Sequence, residues 1–79
     1  MAEDRDIEFS KKDFLKRLGT HIARLRRSRG YSQDRVCLEA GFARGTLSPI
    51  EAGLVGPRAS TLARIADTIG INRRKFLEI

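Results

Sequence analysis

Apolar residues recur at helical spacing in the first third of this chain. Leu18, Ile22 and Leu25 lie three or four positions apart, which predicts the buried stripe of a helix. Ser10 stands before this segment, where its hydroxyl can accept a hydrogen bond from a backbone N–H group of the first turn. Gly30 follows the stripe and is the expected end of the helix.

Two shorter helices joined by a glycine turn are predicted next. Ser32 can cap the first of them through its hydroxyl, and Gly41 supplies the backbone conformation that a sharp turn needs. The second is predicted over about residues 43–52, where it buries Leu47 and Ile50. Two helices joined this tightly form a helix-turn-helix unit, and the second helix of such a unit can enter the major groove of DNA.

A fourth helix and a short fifth helix complete the predicted fold. Asn72 can cap the fifth helix, which carries Phe76 and Leu77. The sequence shows no strand pattern, internal repeat or low-complexity segment. It therefore predicts an all-α domain of five helices over residues 10–79, preceded by an acidic tail, residues 1–9, that is expected to be mobile.

The charge of the chain is unevenly distributed. Its 79 residues include 16 Lys and Arg against 10 Asp and Glu, for a formal net charge of +6. Residues 1–9 hold four of the acids and one of the bases, so the remaining 15 bases and 6 acids give residues 10–79 a charge of +9. A segment with this charge favours binding to polyanions, of which DNA is the first candidate, although a merely solubilising surface is the alternative. The helix-turn-helix motif decides between these two interpretations.

The composition argues against several other classes of protein. The single Cys37 cannot form an intramolecular disulfide, and the sequence holds no zinc-ligand cluster, which suits a reducing cytoplasm. No apolar run approaches the roughly 20 residues of a membrane-spanning helix. We expect no enzyme activity, cofactor, metal or small-molecule ligand, because one histidine and one cysteine form no nucleophile–base arrangement. That histidine, His21, is expected to be an ordinary surface residue.

One pattern runs through nearly the whole chain, from about residue 15 to residue 78. Its positions are Leu18-Gly19, Ile22, Leu25-Arg26, Gly30-Tyr31-Ser32-Gln33, Ala40-Gly41, Leu47-Ser48, Ile50-Glu51-x-Gly53, Pro57 and Thr61-Leu62-x-Arg64-Ile65-Ala66. The pattern resembles that of the Cro and phage-repressor (XRE) family of helix-turn-helix proteins. The resemblance implies a compact, lambda-repressor-like DNA-binding domain, with the helix predicted over 43–52 as its recognition helix.

The resemblance also implies which residues read DNA bases. Arg44 stands at the start of the predicted recognition helix and can donate two bonds to guanine O6 and N7, with a phosphate contact as the alternative. Thr46 and Ser48 are further candidates, although Ser48 can also bond a phosphate or the preceding turn. Gly45 and Pro49 depart from the family pattern, and Pro49 removes a backbone hydrogen bond inside the helix. We therefore expect a bent or short recognition helix that depends partly on DNA shape.

Other residues are implied to contact the DNA backbone or to support the fold. Gln33 matches the family position that spans to a phosphate, and the helix N-terminus at Ser32 adds an anion site. Arg58 resembles a position near the backbone or minor groove. Arg26 and Glu51 are implied to form a structural, partly buried ion pair. The remaining positive charges of the first helix are expected to form an ordinary solvated face: Lys16, Arg17, Arg24 and Arg27.

These features together predict a bacterial or phage regulator that binds specific double-stranded DNA in the cytoplasm, with the nucleoid. We expect it to act as a dimer on a palindromic operator, with Ile71, Phe76 and Leu77 at the contact. The alternative for Phe76 is that it closes the core of one subunit. Phage repressors and the controller proteins of restriction–modification systems fit the size. An antitoxin or other protein-binding module that also binds its own promoter remains open.

Overall fold

A computed structural model describes residues 10–79 of the chain. Within this range the chain forms five helices and no strand: α1 (Lys11–Ser28), α2 (Gln33–Ala40), α3 (Leu47–Glu51), α4 (Ala59–Ile69) and α5 (Arg73–Phe76). The predicted all-α fold of five helices is therefore confirmed. None of the helices in residues 10–79 combines the length and apolar character needed to cross a bilayer. The acidic tail of residues 1–9 lies outside the described residues.

Side-chain caps begin three of the five helices. The Ser10 hydroxyl accepts a hydrogen bond from the Asp13 backbone N–H at 3.2 Å. The Ser32 hydroxyl does the same for the Arg35 backbone N–H at 3.0 Å, and the Asn72 side chain begins α5 in the same manner. Each cap satisfies an N–H group that has no partner within its own helix. The capping residues expected from the sequence are thus confirmed.

One apolar core joins all five helices. Its fully or nearly fully buried residues are Leu18, Ile22, Val36, Cys37, Leu47, Ile50, Ile65, Ala66, Ile69, Ile71 and Phe76. Burial of each large apolar side chain in this set stabilises the fold by about 1.5–3 kcal/mol relative to exposure. Leu25 of the predicted stripe is only partly buried, at the edge of this cluster.

The backbones of α1 and α3 approach closely where the two helices cross at Gly19. A Cβ atom at this position would lie 2.6 Å from the Ile50 carbonyl oxygen and would also overlap the Glu51 carbonyl. Only a residue without a side chain therefore allows the two backbones to meet this closely. The contact sets the end of α3 against the middle of α1.

The second helix of the helix-turn-helix unit is short, as Gly45 and Pro49 led us to expect, but its bounds differ from those predicted. The prediction of 43–52 is wrong at its start, because α3 begins only at Leu47. Gly45 adopts a φ of +85°, a left-handed conformation that a right-handed helix excludes, so the preceding residues form a turn. Pro49 consequently falls in the first turn of α3, where its missing N–H is not needed. Gly45, and not Pro49, shortens the helix.

The end of the chain folds back onto α1. His21 is buried, and its Nε2 lies 2.7 Å from the Phe76 carbonyl oxygen, so the Nε2–H donates to that carbonyl. The expectation of a surface histidine is therefore wrong. Phe76 and Ile71 pack inside the core of a single chain, which corrects the idea that they face a partner. Of the three residues predicted at a subunit contact, Leu77 alone is exposed.

Candidate nucleic-acid interface

The turn between α2 and α3 is held by a side chain from α4. Gly41 ends α2 with a φ of +78°, and the Phe42 backbone N–H donates back to the Cys37 carbonyl at 2.8 Å. Arg64 donates to the Ala40 carbonyl at 2.6 Å. Its guanidinium carbon also lies 4.9 Å from the centroid of the Phe42 ring, a cation–π contact. The sequence pattern gave Arg64 no role, but in the structure it ties the end of α2 and the following turn to α4.

A buried hydrogen-bond network joins α1, α2 and α3. Arg26 donates from Nε and Nη2 to the two carboxylate oxygens of Glu51, at 2.7 and 2.9 Å, and from Nη1 to the Tyr31 carbonyl at 2.7 Å. The side chains of the ion pair are only 7% and 6% exposed. Hydrogen bonding to Glu51 raises the pKa of Arg26 above its ordinary value, although burial opposes the shift. The structure thus brings the pair together and fixes the end of α3.

Gln33, predicted to contact a phosphate, belongs to the same network. Its Nε2 donates to Glu51 Oε1 at 2.9 Å. An amide nitrogen carries two hydrogens, so Gln33 can bond Glu51 and still donate to an anion. The network therefore holds this side chain in place at the start of α2.

A cleft of about 340 Å³ opens where α1, the start of α2 and α3 meet. Its lining residues are Thr20, Ala23, Arg27, Gln33, Ser48, Glu51 and Ala52. Two of the predicted DNA contacts, Gln33 and Ser48, therefore share one concave surface. Arg58 does not line this cleft; it stands exposed before α4.

Arg44 lies on the turn that precedes α3 and points into solvent. Its side chain is 87% exposed, and its guanidinium is 3.4 Å from the carboxylate of Asp34, which is itself exposed. An exposed ion pair at this distance contributes little to stability, so Arg44 can leave Asp34 and bind another acceptor. Thr46 is half-buried just before α3, and Ser48 is exposed on it. Ser32 already accepts the Arg35 N–H, but its hydroxyl hydrogen can still be donated to an anion.

Sequence reasoning missed the part that α1 plays in this surface. Arg27 was grouped with the solvated charges of the first helix, yet it lines the cleft with Gln33 and Ser48. The signal lay in the spacing: Thr20, Ala23 and Arg27 recur three and four positions apart and so share one side of α1. The sequence alone could not tell which neighbour that side would face.

Comparison with known proteins agrees with this geometry. Residues 17–76 match the family described as "Helix-turn-helix domain". The chain is also 37% identical over 60 residues to a protein of Sinorhizobium fredii named as an uncharacterized HTH-type transcriptional regulator. That alignment covers 76% of this chain and 78% of the relative. The family match runs from α1 to the end of α5, and the chain therefore belongs to the helix-turn-helix domain family.

Proposed function

We propose that this protein is a transcriptional regulator that binds specific sequences of double-stranded DNA. The observation that carries the proposal is the α2–turn–α3 unit, held from α1 by Arg26, Glu51 and Gln33. The charge of +9 on residues 10–79 supports the same partner, since such a body attracts the phosphate backbone. The name of the Sinorhizobium fredii relative, a transcriptional regulator, supports the regulatory role.

The position of each side chain indicates whether it would contact a base or a phosphate. Arg44 stands on the exposed turn before α3 and can donate a pair of hydrogen bonds to guanine. Gln33 and Ser48 line the cleft beside α3 and suit phosphate oxygens. Because α3 is only five residues long, few base edges come within its reach. Thr46, Ser32 and Arg58 remain proposed contacts, and DNA shape supplies part of the specificity.

The first test of this function is selection of binding sites from random double-stranded DNA. We expect one selected sequence to bind more tightly than unrelated duplex. The logarithm of its binding constant should fall with the logarithm of the salt concentration, with a slope of about −0.9 for each phosphate contacted. Titration by fluorescence anisotropy at several salt concentrations measures both. A selection that enriches nothing, together with weak binding insensitive to salt, contradicts the proposal.

We further propose that two copies bind a palindromic operator. One short recognition helix reads too few base pairs to specify a site in a genome, and two-fold symmetry doubles the site that is read. The exposed apolar end of the chain offers a surface for this contact: Leu77 is 51% exposed and Ile79 is 44% exposed. A contact at this end would rest on Leu77, because Phe76 and Ile71 already fill the core.

Leu77→Asp is expected to convert the dimer into a monomer, because a carboxylate cannot be buried unpaired in an apolar contact. Analytical ultracentrifugation measures the change. Leu54→Asp is the matched control, since Leu54 is also an exposed leucine, in the loop after α3, and its replacement should leave the dimer intact. If the Leu77→Asp protein dimerises as well as the wild type, the dimer interface does not include Leu77 and lies elsewhere. A point variant is preferable to truncation before α5, which would also remove Phe76 from the core.

A further inference from the structure

We propose that Arg27 of α1 is a further anchor for the DNA backbone, acting across one cleft with Gln33 and Ser48. The inference rests on the proposed DNA binding and extends the interface from the helix-turn-helix unit onto the preceding helix. It separates Arg27 from the other positive charges of α1, which the sequence had placed together on a solvated face.

The shape of the cleft places Arg27 on the same concave surface as two of the predicted DNA contacts, Gln33 and Ser48. Thr20 and Arg27 are seven positions apart, so they lie on the same side of α1, about 10.5 Å apart along its axis. Ala23 stands between them and carries only a methyl group, which leaves the middle of this wall open. Gln33 and Ser48 form the rest of the concave surface.

The charge of the cleft is positive where DNA would enter. Arg27 is exposed, and no carboxylate within residues 10–79 forms an ion pair with it. The one acid that lines the cleft, Glu51, is already neutralised, since both of its oxygens accept hydrogen bonds from Arg26. The start of α2 adds the partial positive charge of a helix N-terminus at Gln33. An anion that enters the cleft therefore meets uncompensated positive charge.

The donors that surround the cleft suit a phosphodiester. Arg27 offers a planar fork of N–H groups, which matches phosphate oxygens. Thr20 and Ser48 offer hydroxyl groups, and Gln33 offers an amide N–H. The cleft lies between α3 and α1, away from the turn that carries Arg44. A contact here is expected to raise affinity for every duplex without discriminating among sequences.

Arg24 provides a matched control on the same helix. It is exposed like Arg27, but it lines a different cleft, with Arg17, His21 and Ile79 on the side of α1 that faces α5. Replacement of either arginine by glutamine removes one positive charge and keeps a long polar side chain. The two variants therefore differ in position and not in chemistry.

The experiment compares Arg27→Gln and Arg24→Gln in binding to the selected operator and to an unrelated duplex, over a range of salt concentrations. Arg27→Gln is expected to weaken both complexes by the same factor, roughly 12- to 150-fold, as for one hydrogen bond between charged groups. It should also reduce the steepness of the salt dependence by about 0.9, the equivalent of one phosphate contact. Arg24→Gln should leave both the affinity and the slope close to those of the wild type. Circular dichroism verifies that each variant is folded.

The outcomes separate this inference from the function on which it rests. A wild-type protein that binds no duplex overturns both. A wild type that binds, with an unchanged salt slope in Arg27→Gln, overturns the inference alone. Equal losses in Arg27→Gln and Arg24→Gln also overturn it, because the effect would then be the general charge of α1. A loss confined to the selected operator would make Arg27 a base contact and would overturn its assignment to the backbone.

Discussion

Replacement of Arg26 by methionine is expected to lower the free energy of unfolding by about 3–5 kcal/mol. The variant leaves the Glu51 carboxylate, only 6% exposed, without its cation. It also removes the donor that the Tyr31 carbonyl uses. This loss is a large share of the roughly 5–15 kcal/mol that stabilises a whole domain. Urea denaturation followed by the helical circular dichroism signal measures it. DNA binding should fall as well, although Arg26 is not expected to contact DNA.

Two controls show whether the stranded charge is the cause. Arg35→Met breaks the exposed ion pair with Glu39 on the surface of α2 and should lower the free energy of unfolding far less than Arg26→Met does. The double variant Arg26→Met/Glu51→Met removes both charges, and an apolar pair of similar volume is often as stable as the buried ion pair. It should therefore be more stable than Arg26→Met alone. A loss in Arg26→Met no greater than that in Arg35→Met would show that the buried pair contributes little.

Arg44→Ala is expected to weaken binding to the selected operator by about 1–3 kcal/mol, roughly 5- to 150-fold, and to weaken unrelated duplex much less. The physical reason is the loss of a paired hydrogen bond to one base. Stability should change little, because the side chain is 87% exposed and its ion pair with Asp34 is exposed as well. The binding free energies for the operator and for unrelated duplex are measured at one salt concentration. The difference between them is then compared in the wild type and the variant.

Gln33→Ala is the contrasting variant for this prediction. A phosphate contact carries no sequence information, so its loss should weaken the operator and unrelated duplex by similar factors. Because Gln33 also donates to Glu51, the unfolding free energy of the Gln33→Ala variant must be measured together with its DNA affinity. If Arg44→Ala also lowered both affinities equally, Arg44 would be a phosphate contact and the base contact would lie elsewhere on the turn or α3.

Features that depend on neighbouring residues were predictable from the sequence. The caps at Ser10, Ser32 and Asn72 are interactions over two or three positions, and the structure contains all three. The apolar spacing of α1 predicted its buried face for the same reason, since helical periodicity is a local property. The Arg26–Glu51 pair is not local. It was expected only because the motif resembles a known family, and the structure contains it.

The start of α3 shows where local rules were insufficient. Glycine adopts right- and left-handed backbone conformations about equally well, so Gly45 was compatible both with a helix over 43–52 and with a turn. Its φ of +85° selects the turn. In the folded chain, α3 is positioned by the close approach of Ile50 to Gly19 and by the Glu51 ion pair. These contacts join α3 to α1, which is distant in the sequence.

Interactions within one or two turns specify the number of helices, their caps and their apolar faces, so these features could be predicted from the sequence, whereas the start of α3 could not. Which neighbour covers each face depends instead on contacts between distant parts of the chain. His21 became a buried donor because α5 returns to α1 and places Phe76 beside it, 55 positions along the chain. Arg27 and Arg24 look alike in the sequence, yet one lies beside α3 and the other on the α5 side. Periodicity specifies the side of a helix on which a residue lies, but only long-range contacts determine what that side meets.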